Sequence, residues 1–325
     1  MVLVISSLLM GSASLTPQQV YSGLFDGQIG NTAYDVLWNL RLPRTLLAVL
    51  VGVHFALAGL ILQAVIRNPL ADPSVIGVSG GASLMIVIFL LVADIINGTL
   101  FSGKTVVSLT WLPFAALLGG LLTAALVLSL SKRSGMNPTK LALNGVAVGA
   151  ILNAAVMWTI LAWGGGRTET SILWLAGSFY GRDFSHVYTI LPWTVLGLLA
   201  LCLVQRPLAL LRFNDDLAHS LGLSVFQWRI ITISIAVALA ASATAVAGPV
   251  GFVGLIVPHL ARLLVGNQLS HLTISTLLLG GCLTLGADIL SRILVHPLEL
   301  PAGALTTLIG IPVLLFLLQR QSRES

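Results

Sequence analysis

"LRLPRTLLAVLVGVHFALAGLILQAVIRNPLADPSVIGVSGGAS", Leu40 to Ser83, decides how this chain must be read. From Thr45 to Ile66 it runs 22 residues without an Asp, Glu, Lys or Arg. A helix of that length crosses the roughly 30 Å hydrocarbon core of a bilayer. The run ends in "RNPLADP", where Pro69 and Pro73 stop one helix and start the next. At its other end Arg41 and Arg44 stand three residues apart at the lip of the span.

Working outward, the pattern repeats. Of 325 residues, 57% are hydrophobic and only 8% charged, against roughly a quarter charged in soluble domains. Nine apolar spans follow, near 43–66, 74–93, 111–131, 141–163, 187–205, 230–248, 250–266, 272–291 and 301–319. All are expected to be helices, because an open sheet would leave backbone polar groups unpaired in lipid. The opening "MVLVISSLLMGSASL" is apolar but too short to cross. It reads as the inner part of a first helix, making about ten. A signal peptide is the alternative, with Ala13 in a small-residue stretch but no basic segment before it. The fold class is therefore all-α and polytopic, a single transmembrane domain over residues 1–325.

Lys and Arg counting sets the orientation. With the C-terminus inside, ten (Arg67, Lys132, Arg133, Lys140, Arg206, Arg212, Arg229, Arg262, Arg320, Arg323) fall on the inner side. Six (Arg41, Arg44, Lys104, Arg167, Arg182, Arg292) fall outside. Both termini are then cytoplasmic. The net charge of +5 reflects these flanks and calls for no nucleic-acid partner.

"GTLFSGKT", Gly98 to Thr105, matches the phosphate-loop pattern G-x-x-x-x-G-K-[ST]. That loop works only between a strand and a helix, where its N–H groups wrap the phosphates. Here it follows the end of an apolar helix on the outer face, so it reads as a chance match. Cys202 and Cys282 show no metal-ligand spacing, and Ser, His and Asp assemble into no nucleophilic set. No metal site and no enzyme chemistry are expected. His54, inside a span, is either an imidazole bonded to a neighbouring helix or a pathway-lining group. Asp288 and Arg292, four apart on one helix, suit a local ion pair.

Three stretches stand out from a generic bundle: Leu40–Ser83; "AVAGPVGFVGLIVPHLARLLVG", Ala245–Gly266; and "HPLELPAGALTTLIGIPVLLFLL", His296–Leu318. In this order they resemble the permease family of binding-protein-dependent importers for iron–siderophore complexes, haem and vitamin B12. The resemblance covers nearly the whole chain. "LALNGVAVGA" (Leu141–Ala150) and "LWLAGSFYGRDFSHV" (Leu173–Val187) are similar to the ferric-siderophore branch; haem and cobalamin are the alternatives. The departures are the short first helix and His54, where the family usually has a small residue. The resemblance implies a type II importer fold, a second permease subunit, two ATPase subunits that carry ATP and Mg, and an external binding protein. This chain then needs no cofactor of its own. The substrate's iron arrives already chelated.

The resemblance also implies roles for particular residues. Arg41, Arg44 and Arg292 resemble sockets for acidic residues on the binding protein; the alternatives are headgroup anchors or, for Arg292, the partner of Asp288. The longest inner segment, Arg206–Arg229, is expected to hold two short helices around Gly222. Asp215 and Asp216 suit a helix N-terminus. Leu217, Leu221, Leu223 and Phe226 would present an apolar face, with Ala218 and His219 between them. By resemblance this element docks in a groove on the ATPase; alternatively it lies on lipid. Ser79, Gly80 and Gly81, with Asn137, Pro138 and Thr139, match where such permeases narrow at the inner end, or are packing turns. A second class, an ion-coupled secondary transporter, would need intramembrane carboxylates, and only Asp288 qualifies. A structural scaffold would need neither outer arginines nor an inner docking loop.

Overall fold

The chain that begins at Leu42 stays helical to Ile66, and this helix, α3, organises everything around it. The computed structural model describes residues 2–11, 15–25, 32–100, 107–132, 136–163, 174–295 and 299–324. Two short helices precede α3: α1 (Val2–Leu9) and α2 (Pro17–Phe25). A helical lead-in, Thr32–Asp35 and then π-helical Val36–Arg41, joins α3 without a break. After it come α4 (Val78–Asp94), α5 (Leu112–Lys132), α6 (Pro138–Trp163), α7 (Phe184–Leu211) and the short α8 (Asp215–Ser220). The bundle closes with α9 (Val225–Ala247), α10 (Val253–Val265), α11 (Leu269–Ile293) and α12 (Ala302–Glu324).

Among the described residues seven helices are long and apolar enough to cross a membrane, and α10 and α12 add shorter apolar stretches. α3 is the centre. It packs against α11, α9, α10 and α7, and twenty of its residues, from Pro43 to Ile66, are buried. α4, α5 and α6 form a second layer joined to it through α9. Lipid tails are as apolar as leucine, so close backbone approach must hold such helices together. Small residues allow it here. A Cβ on Gly59 would sit 1.8 Å from Gly254 O of α10, and one on Gly52 would sit 2.2 Å from Gly280 O of α11.

The break after α3 follows the prolines. Arg67 turns left-handed at φ 56°, and Pro73 opens a 3₁₀ turn whose cap, Asp72, accepts from Ser74 N at 2.9 Å. Three expectations need correction. The span expected at 250–266 is a helix of only 13 residues, about 20 Å long and too short to cross alone. Gly248–Phe252 before it is non-helical, and Phe252 holds φ 66°. α1 packs on α3 and α11 beside Thr45 and Arg292, so it lies at the end expected to be outer rather than inner. The second short helix expected after Gly222 is the first turns of α9.

Candidate functional site

Both ends of the bundle carry arginine clusters, built differently. At the end holding Arg41, Arg44 and Arg292, the centre is Asp288, fully buried on α11. Arg44 approaches one carboxylate oxygen through Nε at 2.9 Å and Nη2 at 2.8 Å. Arg292, one turn on from Asp288, bonds the other oxygen through Nη2. Arg44 also reaches Glu299 through Nη1 at 2.7 Å. α1 closes the network: Arg292 donates to Ser7 O (3.3 Å) and Ser7 Oγ (3.1 Å), and Arg41 donates to Leu8 O. The expected Asp288–Arg292 pair is present, and Arg44 joins it from 244 residues away in sequence.

This network forms one wall of a cavity of about 320 Å³ lined by Arg41, Arg44, Arg292, Glu299, Tyr180 and Arg182. Four guanidiniums face one lining carboxylate there, so a concave cationic socket results. Arg41 and Arg292 are 4% and 5% exposed, so they form its depth rather than a surface rim. Arg182 was not among the residues expected at this site. Its guanidinium lies 3.9 Å over the Trp174 ring, and burial lowers its pKa to about 10 against the opposing charge of Asp183. Its signal was its place in the run "YGRDF", just before α7.

At the other end the centre is Asp215, in the first turn of α8. Asn214 is the cap, accepting from Leu217 N at 3.1 Å, which leaves the Asp215 carboxylate for arginines. Arg229 of α9, almost wholly buried, bonds it twice, at 2.8 and 3.2 Å, and Arg67 from the end of α3 bonds it as well. Arg229 also donates to Met136 O at 3.1 Å, tying α8 to the turn before α6. Leu217, Leu221 and Phe226 are exposed as expected, with Asp216, His219 and Gly222 beside them. Leu223 departs from the expected face: it is 6% exposed and, with Ala218, belongs to the core. Gly222, at φ 83°, turns the chain so that Leu223 points inward while Leu221 does not.

The two breaks expected at the inner end do not meet within this chain. Asn137 caps α6, accepting from Thr139 N at 3.0 Å, with Pro138 as the first helical residue. Gly80 instead faces Gly149, Leu152 and Asn153, about 18 Å farther along α6, and Gly81 lies on Thr123 and Gly119 of α5, with Ser79 alongside. His54 is fully buried and satisfied across two neighbouring helices. One ring nitrogen is 2.7 Å from Thr194 Oγ1 of α7; the other is 3.0 Å from Ser242 Oγ and 3.2 Å from Leu239 O of α9. That is the interhelical reading of this residue. The phosphate-loop match is entered from a helix, since π-helical Ile95–Leu100 continues α4 through Gly98. Residues 101–106, with Lys104, lie outside the described residues, as do Arg133 and Arg167. Among the described residues no group of His, Cys, Asp and Glu is placed to hold a metal ion.

Comparison with known proteins extends these observations to the whole chain. The model of the FecCD transport family matches residues 1–320. The chain is 36% identical over 323 residues to the Fe(3+)-citrate import system permease protein YfmE of Bacillus subtilis (strain 168), covering 99% of this chain and 93% of the relative. It is 35% identical over 327 residues to the hemin transport system permease protein HmuU of Yersinia pestis, covering 99% and 93%. A solved metal-chelate type ABC transporter in an inward-facing conformation matches with a TM-score of 0.83 at 30% identity, covering 98% of this chain and 96% of that one.

Proposed function

The chain belongs to the FecCD transport family, and from that premise we propose that it is the permease of an ATP-driven importer for ferric-siderophore-type chelates. The observation that carries the reading is the likeness along the full length to a metal-chelate type ABC transporter. Haem is the second substrate reading, favoured by the Yersinia pestis relative. In this reading a second permease subunit, two ATPase subunits and an external binding protein complete the machine, the C-terminus is cytoplasmic, and ATP and Mg act on the ATPase. The exposed Leu217 of α8 and Leu221 just after it supply the apolar contact for the ATPase groove. Asp215 fixes the angle of α8 through Arg67 and Arg229. The cationic socket around Arg41, Arg44 and Arg292 receives an acidic side chain of the binding protein, because a guanidinium holds a carboxylate through two parallel bonds. Asp288 speaks against ion coupling: two arginines hold it, whereas a coupling carboxylate must be free to take and release its ion. The test is uptake of radiolabelled iron in cells lacking their own permease, supplied as citrate, hydroxamate or haem. Saturable uptake that needs the co-expressed ATPase supports the reading. Uptake driven by an ion gradient without ATPase refutes it.

A further inference from the structure

We propose that a pocket between α3, α7, α10 and α11 binds the phosphate headgroup of an anionic phospholipid. The cavity, about 390 Å³, lies at the end of the bundle that carries α8 and is lined by Arg67, Arg212, His259 and Arg262 over apolar Leu60 and Leu272. No Asp or Glu lines it. Asp215 engages Arg67. The other two arginines have only neutral partners among the described residues. Arg212 donates to Asn267 O at 2.8 Å and Asn267 Oδ1 at 3.3 Å, and Arg262 donates to Gln63 Oε1.

Local structure holds these cations in place. Pro258 has no N–H to give to Gly254 O, four residues back in α10, and the Gln63 side chain supplies that bond instead, at 3.3 Å, with a second to Leu255 O at 3.0 Å. Gln63 thus has its amide N–H groups committed to α10 and its oxygen turned to Arg262. Each guanidinium has five N–H donors, so both arginines keep donors beyond those bonds. A phosphate diester presents two unesterified oxygens that suit the arginine fork, and its single charge offsets the excess in the pocket. The ends of α3, α7 and α11, helices long and apolar enough to cross a membrane, border the pocket, which places it at headgroup depth. Leu263 and Leu264, beside Arg262, are 55% and 70% exposed, a surface suited to acyl chains. Basic pockets between helices at this depth are a recurring way of holding anionic headgroups. The inference needs only that this end of the bundle lie at a membrane surface; it does not rest on the transport reading.

The test uses the full chain, with any co-purifying subunits, in neutral detergent. Phosphatidylglycerol, phosphatidylcholine and inorganic phosphate are titrated separately, with bound lipid counted by native mass spectrometry and stability followed by thermal unfolding. Wild type should retain phosphatidylglycerol in preference to phosphatidylcholine and melt at a higher temperature with it. Each arginine is expected to contribute about fivefold in affinity, so Arg212→Gln with Arg262→Gln should weaken retention roughly twenty-five-fold. If the double variant does not fold, Arg212→Gln alone, at a partly exposed position, must still weaken it about fivefold. Equal retention by variant and wild type, or no preference for the anionic lipid, overturns the proposal. Equal stabilisation by inorganic phosphate overturns it too, making this a free-anion site. Loss of a co-purifying subunit from the variant with lipid retention unchanged assigns the pocket to a protein carboxylate and likewise overturns it.

Discussion

Asp288→Asn isolates the energetics of the network around Asp288, because it changes charge while keeping shape. The carboxylate is fully buried and accepts two bonds from Arg44 and one from Arg292, whose side chain is only 3% exposed. Without that charge, one neutral amide oxygen is left to Arg44 and Arg292 together; Arg292 keeps the Ser7 carbonyl and hydroxyl, and Arg44 keeps Glu299. Breaking a buried pair from one side costs about 3–5 kcal/mol, mostly from the cation left behind. In a chain of 325 residues each kcal/mol moves the midpoint by about 1.5 °C, so a fall of about 4–7 °C is expected. The assay is thermal unfolding of the purified chain, scored by the fraction that still elutes as a single species from size exclusion after heating. A second variant tests the cause. Adding Arg292→Met to Asp288→Asn removes the stranded cation, and the double variant should recover at least about 1 kcal/mol over the single. A single variant within about 1 kcal/mol of wild type, or a double variant no better than the single, would refute the account.

Gly59→Ala places a methyl 1.8 Å from a backbone oxygen of α10, which no side-chain movement can relieve, so expression of folded protein should fall sharply; normal yield would show that α10 can shift. Leu221→Asp, at 53% exposure, should leave folding intact and abolish co-purification of the ATPase; Leu223→Asp, in the core, should instead cost folding itself, and identical behaviour of the two would sink the assigned docking face. Lys104→Ala should leave transport and ATP turnover close to wild type, checked by uptake and phosphate release; loss of nucleotide binding by the permease alone would reinstate the phosphate-loop match. Arg182→Gln should slow capture of the binding protein several-fold at low salt and little at high salt, as expected of a charge that steers association, measured by surface plasmon resonance; an unchanged rate at low salt removes the socket from docking.

The fold was legible where the bilayer imposes one simple demand. Uncharged runs of about 20 residues have few alternatives to a crossing helix, so α3 to α7, α9 and α11 lie where hydropathy places them. Hydropathy counts apolar residues and is blind to direction, so it could not tell α10 from a full span. That distinction depends on Gly248, Pro249 and the left-handed Phe252, which delay the helix until Val253. Nor could it find the π-helical Val36–Arg41 that leads into α3.

The site divides along the same line. Asp288 and Arg292 are joined by one turn of helix, so spacing alone pairs them. Arg44 and Asp288 are 244 residues apart and meet because α3 lies against α11, where Gly52 and Gly280 approach closely. Apolar pattern also cannot separate a docking face from an anchor: Leu221 and Leu223 read alike, and only the turn at Gly222 sends one outward and the other into the core. The same limit explains Gln63. A lone amide in an apolar span is costly unless its bonds are filled, but the apolar pattern alone does not single Gln63 out. Its partners follow only once Pro258, nearly 200 residues on, has freed a carbonyl beside it. Polar groups inside this bundle are therefore readable as obligations before they are readable as contacts. The close glycine packing of α3 against α10 and α11 decides which obligations meet.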